Sequence, residues 1–168
     1  MRIVAALVFA GAAMTAGLAV AQTTAPVAAP ACTAPAALPA EMASFARPME
    51  VALGGPVLIG QAATLGLGPA AGMVFPVIPA KAPPEGSFGG TLELDVKRAG
   101  TYRVALGGPV WIDLVRDGKA IASTAHEHGP ACSAIRKIVD FALVPGHYTL
   151  QLSGAKMPRA TVLVVEAR

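Results

Sequence analysis

The chain is poor in the residues that would mark most large functional classes. Aromatic residues make up 5% of its 168 positions and charged residues 14%, with two cysteines, one tryptophan and two tyrosines. Thirteen Lys and Arg against ten Asp and Glu give a formal charge of +3. That balance is mild, the basic residues are scattered, and few aromatics accompany them, which excludes a nucleic-acid surface built on a basic stripe with stacking rings. No heptad pattern supports a coiled coil, and the length is that of one ordinary domain, not of a large multidomain enzyme or a polytopic membrane protein.

What is abundant is apolar and unevenly spread. Hydrophobic residues make up 54% of the chain, and much of that count sits at the beginning. Arg2 precedes an uncharged apolar stretch that ends in Ala19-Val20-Ala21, the pattern of a secretory leader with a small-residue cleavage site before Gln22. Removing residues 1–21 leaves 147 residues, a charge of +2 and no expected membrane span, in a periplasmic or secreted protein. Residues 22–40 hold eight Ala and four Pro without a charge, which reads as a semi-rigid extended arm. Residues 41–49 have room for a short turn of helix, and residues 41–168 form the expected domain.

From Val51 onward the pattern is that of short strands punctuated by Gly and Pro. Residues 91–97 alternate strictly, with Leu92, Leu94 and Val96 on one face, and Tyr102, Val104 and Leu106 repeat the device. Residues 111–115 read as a more fully buried strand, and Asp117-Gly118 turns it into a hairpin. Residues 138–143 are expected to pair with residues 148–152 across Pro145-Gly146, and residues 161–165 form a last apolar strand. Residues 69–84 carry five prolines and read as a loop with a short strand at Met73 to Phe75.

The heptapeptide Val-Ala-Leu-Gly-Gly-Pro-Val occurs at 51–57 and again at 104–110, and residues 99–108 resemble residues 145–154 in Gly, Tyr, Leu and a final Gly. In a small sandwich such a Tyr caps the sheet with its hydroxyl on backbone. About eight short strands with these turns predict an all-β, mostly antiparallel sandwich or jelly roll.

Cys32 in the arm and Cys132 in the domain allow a single pairing, and an even count in an exported chain predicts a disulfide that pins the arm. Near Cys132 lies the one cluster with metal chemistry. In an extended segment His126 and His128 point to the same side and can converge on one ion, while Glu127 points away. The turn at Gly129-Pro130 brings Cys132 within reach as a further ligand, and His147 is a third candidate imidazole. Two His with a carboxylate suit iron, whereas His with thiolate suits zinc or copper, so Fe, Cu and Zn all stay open. If Cys132 is paired, it is no thiolate. Arg136-Lys137 offers positive charge to an anion, and Met157 is a soft donor or simple packing.

Residues 111–154 resemble a group of short exported alphaproteobacterial proteins. The resemblance rests on Trp111-Ile112-Asp113, Asp117-Gly118, His128-Gly129-Pro130, Cys132, Ile135-Arg136-Lys137, Phe141, Pro145-Gly146 and Tyr148. It implies a secreted β-sandwich of unknown role. Some of the group bear a homogentisate 1,2-dioxygenase label, which implies a cupin-like mono-iron site. Against the cupin pattern, His126 and His128 supply H-x-H, Cys132 stands at the position of the Glu, and Pro145-Gly146-His147 departs from the second motif. The expected function is a non-enzymatic binding or structural module for a small ligand or an envelope protein. The alternatives are a small metal protein built on His126 and His128, or a cupin-like dioxygenase.

Overall fold

A computed structural model describes residues 32–167. The expected leader, residues 1–21, and the first ten residues of the expected arm lie outside the described residues. Among the described residues no helix is long and apolar enough to cross a membrane.

The chain is all-β, with two sheets packed face to face. In sheet order, the first holds β1 (Met49–Glu50), β3 (Ala63–Gly66), β12 (Arg159–Glu166), β6 (Gly100–Leu106), β10 (Lys137–Leu143) and β9 (Ala125–His128). The second holds β2 (Pro56–Val57), β5 (Phe88–Val96), β11 (Gly146–Ala155), β7 (Trp111–Arg116) and β8 (Lys119–Ile121), with β4 (Gly68–Pro69) beside the start of β5. Two short pairs, β1 with β3 and β2 with β5, are parallel, and the long ladders are antiparallel.

Period-two alternation builds the core between the sheets. Leu92, Leu94 and Val96 of β5 meet Tyr102, Val104 and Leu106 of β6, all essentially inaccessible to water. Each such side chain contributes about 1.5–3 kcal/mol by leaving water. The expected hairpin at Asp117-Gly118 forms, with φ of 50° and 69°, the left-handed pair that a two-residue turn between twisted strands requires.

The expected hairpin across Pro145 does not form. β10 pairs with β6 and β9, whereas β11 pairs with β5 and β7 in the other sheet. A tight hairpin turn needs positive φ at its central residues, and the proline ring of Pro145 holds φ near −65°. The chain therefore crosses from sheet to sheet. Val139, Phe141 and Leu143 face Tyr148, Leu150 and Leu152 across the core instead of lying beside them.

A tyrosine secures this crossing. Tyr148 Oη donates to the Val144 carbonyl at 2.8 Å and accepts from the Val144 N–H at 3.2 Å. The crossing from β5 to β6 uses the same device, with Tyr102 Oη on the Arg98 carbonyl at 2.9 Å. The similarity of residues 99–108 to residues 145–154 thus marks two sheet-to-sheet crossings.

Part of each outer face is covered. On the first sheet, a 3-10 helix (Ala40–Ala46) sets Met42 and Phe45 against Ala62, Ala105, Ile138, Leu163 and Val165. The arm leading into it is tied down. Cys32 is bonded to Cys132 with their Cα atoms 5.3 Å apart, and the Ala36 N–H donates to the Cys132 carbonyl at 2.8 Å.

The Pro-rich segment covers the second sheet. A 3-10 turn (Ala70–Gly72) follows β4, and the expected strand at Met73 to Phe75 is absent. Pro76 and Pro79 offer no N–H to a ladder. The neighbouring N–H groups instead find buried side chains: Val77 donates to Gln151 Oε1 at 3.2 Å and Ala80 to Asp113 Oδ2 at 3.3 Å.

Candidate functional site

A cleft of about 670 Å³ opens where the β6–β7 connection, β9, the start of β10 and the end of the Pro-rich segment meet. Register decides which side chains reach it. Directly opposed residues of an antiparallel pair point to one side of the sheet. Lys137 lies opposite both Leu106 and His128, and Val139 opposite His126. Leu106 and Val139 belong to the core between the sheets, so His126, His128 and Lys137 share the inward side at the sheet edge. Glu127 lies opposite Ile138, whose side chain packs on the outer face, yet as an exposed edge residue it still borders the cleft.

Trp111 forms the flat wall, and its position is fixed. Its Nε1–H donates to Asp113 Oδ1 at 2.9 Å, and Asp113 Oδ2 accepts from Gln151 Nε2 at 3.1 Å as well as from Ala80. Asp113 and Gln151 are buried, and they lie one opposite the other on β7 and β11 beneath the Pro-rich cover. A satisfied buried network of this kind holds its members in one arrangement.

Lys137 reaches over this wall, with Nζ 4.8 Å from the Trp111 ring centroid. An ammonium over an indole face is attracted by the ring quadrupole. Burial pushes the Lys137 ammonium below the usual lysine value, the charge of Lys81 pushes the same way, and Asp113 opposes both. Lys81, Arg136, Lys137 and Lys156 bring four cations to the cleft against the single carboxylate of Glu127. At the cleft wall, Ser153 is fully buried and its Oγ has no hydrogen-bond partner.

The four residues proposed from sequence as metal ligands are not gathered. His126 and His128 share a face and line the cleft. Cys132 is closed in the disulfide and supplies no thiolate. It is carried back to the sheet edge by a tight turn at Gly129, where a Cβ would run into the Ile135 carbonyl. His147 stands exposed near the opposite end of β11, beside Asp95, with Nδ1 3.6 Å from Oδ1. Six residues separate His147 from Ser153, roughly 20 Å along a strand. Among the described residues no group of three or more His, Cys, Asp or Glu is placed to hold a metal ion. Met157 is exposed, so it neither packs in the core nor joins this cluster.

Sequence reasoning missed Lys81, Ser153 and Lys156 as site residues, and took Trp111 for a strand residue. Only Trp111 carried a signal, as the single tryptophan of a chain poor in aromatics.

No family model, no curated protein and no solved structure matches this chain.

Proposed function

We propose that this chain is an exported, non-enzymatic β-sandwich module that binds a small molecule in the cleft beside Trp111. The observation that carries the reading is the cleft itself. It falls within the roughly 300–1,000 Å³ typical of small-molecule sites, and an aromatic wall is fixed there by a buried network. The disulfide between Cys32 and Cys132 supports export, since such bonds persist in oxidising compartments, and it agrees with the leader pattern in residues 1–21. A periplasmic location is part of the proposal.

Metal loading is the second reading. Its support is the shared face of His126 and His128, now without Cys132 or His147 beside them.

Trp111 is the only tryptophan, so its emission reads the cleft directly. Titration of the mature protein with a small-molecule library should yield a saturable emission change for at least one chemical class. A library without one such compound contradicts the binding reading. Parallel titrations with Fe(II), Cu(II) and Zn(II) separate the second reading. Stoichiometric metal that is lost in His126→Ala/His128→Ala would establish it.

A further inference from the structure

The side chains of the cleft also select a ligand class. Four cations and one carboxylate converge on one concave surface. The cations come from three separate segments: Lys81 from the Pro-rich cover, Arg136 and Lys137 from the entry to β10, and Lys156 from the turn after β11. Like charges brought together repel, and no equal number of cleft carboxylates offsets them here. Lys81 and Lys137 are close enough for the charge of one to disfavour the charge of the other.

A second observation is independent of charge. Ser153 Oγ is buried without a partner in the cleft wall. A buried hydroxyl normally finds an acceptor, and leaving it unpaired costs free energy. The cleft around it is rich in donors: three ammonium groups and a guanidinium, beside two imidazoles that can donate or accept. Glu127 is the one anionic acceptor bordering the cleft, so cationic donors outnumber anionic acceptors four to one.

We infer, building on the binding reading above, that the cleft takes a small polyanion bearing two or more carboxylate or phosphate groups. One anionic oxygen accepts from Ser153 Oγ after the cleft side chains that shield this hydroxyl from water turn aside. The ammonium groups of Lys137 and Lys81 neutralise the charge beside it, and Arg136 and Lys156, exposed at the rim, draw the anion in. The Trp111 face, with Lys137 above it, gives the ligand's carbon skeleton an apolar wall. The volume suits a molecule the size of a tricarboxylate or a phosphorylated sugar, rather than a long acidic polymer.

The test uses citrate and inorganic pyrophosphate as probes, glucose as the neutral control and a heparin fragment as the polymer control. Trp111 emission and calorimetry follow binding to the mature protein at two salt concentrations. Citrate or pyrophosphate should bind one to one, more weakly at higher salt, and glucose should not bind. Ser153→Ala should weaken binding by about tenfold, the effect of one charge-assisted hydrogen bond, without lowering the melting temperature. Lys81→Gln/Lys137→Gln should weaken it by more, and Lys137→Arg should retain most of it. Failure of both anions overturns the inference. If neutral library compounds still bind at Trp111, the binding module survives and only its anion selectivity is refuted. If nothing binds at any charge, the binding reading falls too. Binding of the heparin fragment but of neither small anion also overturns the inference.

Discussion

Asp113 is the residue on which the cleft wall depends, and its replacement has a calculable effect. Its two oxygens accept from Trp111 Nε1, Gln151 Nε2 and the Ala80 N–H. Asp113→Ala leaves all three donors without an acceptor. A buried donor left unpaired costs about 1–3 kcal/mol, and water reaches the half-buried Trp111 more readily than Gln151, which is fully enclosed. Removing a buried carboxylate also recovers part of its desolvation cost. The net loss should be about 3 kcal/mol. Asp113→Asn should lose about half of that, because its remaining carbonyl still serves one side of the network.

Urea unfolding followed by Trp111 emission reads the loss. With a slope of about 1–3 kcal/mol per molar urea, the midpoint for Asp113→Ala should fall by roughly 1–3 M. Release of the cover is a separate readout. The Ala80 N–H is one of its two hydrogen bonds to buried side chains, and Lys81 follows it in sequence. Limited trypsin digestion should cut after Lys81 faster in the variant than in the parent. A parent-like midpoint together with a parent-like rate of cutting would show that the network does not hold the wall.

Three further outcomes follow from other parts of the fold. The disulfide closes a sequence separation of 100 residues, so Cys32→Ser/Cys132→Ser should lose up to about 4.7 kcal/mol in urea unfolding. Protein purified from the periplasm without reductant should show no reactive thiol, and two per chain would contradict the pairing. Tyr148→Phe should cost about 1–2 kcal/mol, because it leaves both the N–H and the carbonyl of Val144 without their partner, and more than Tyr102→Phe, which frees only the Arg98 carbonyl; equal losses would contradict this. Lys137 releases its proton at a lower pH than an ordinary lysine, whose value is 10.5. Between that lowered value and 10.5 the unfolded chain holds more protons than the folded one, so stability rises with pH through this window. Lys137→Gln should flatten the rise, and a Lys137 side-chain NMR titration should show the early midpoint.

Much of the core was legible in the sequence. Leu92, Leu94 and Val96, and then Tyr102, Val104 and Leu106, alternate in the sequence and share the core in the structure. Asp117-Gly118 carried its turn chemistry openly. Alternation, however, reports which face a residue takes and not which strand lies beside it. That is why β10 and β11, consecutive in sequence and both alternating, read as a hairpin although they belong to different sheets. The obstacle was visible in Pro145, whose ring opposes the positive φ of a tight turn. The repeated heptapeptide shows the same limit. At 104–110 its first three residues end β6, whereas at 51–57 its last two form β2 and Gly54 stands at a φ of 74°, and surrounding contacts decide between them.

The site was less legible for a related reason. His126 and His128 are two residues apart, and their shared face followed from strand geometry alone. Lys81, Trp111, Lys137 and Ser153 are scattered over more than seventy residues and meet only through the sheet order and the path of the Pro-rich cover. Residues 111–115 read as a buried strand, but nothing in the sequence paired Asp113 with Gln151. These two are buried because residues 73–84 lie over them, and no local pattern announces that cover.

The proposed ligand site is the cleft beside Trp111. Two-dimensional NMR of the uniformly ¹⁵N-labelled mature protein, titrated with citrate and with the library used for fluorescence, tests it most directly. The Trp111 indole N–H and the amides of His126, His128, Lys137 and Ser153 should shift together along one saturation curve. Shifts centred instead on His147 and Asp95, or no saturable shift with any compound, would contradict it.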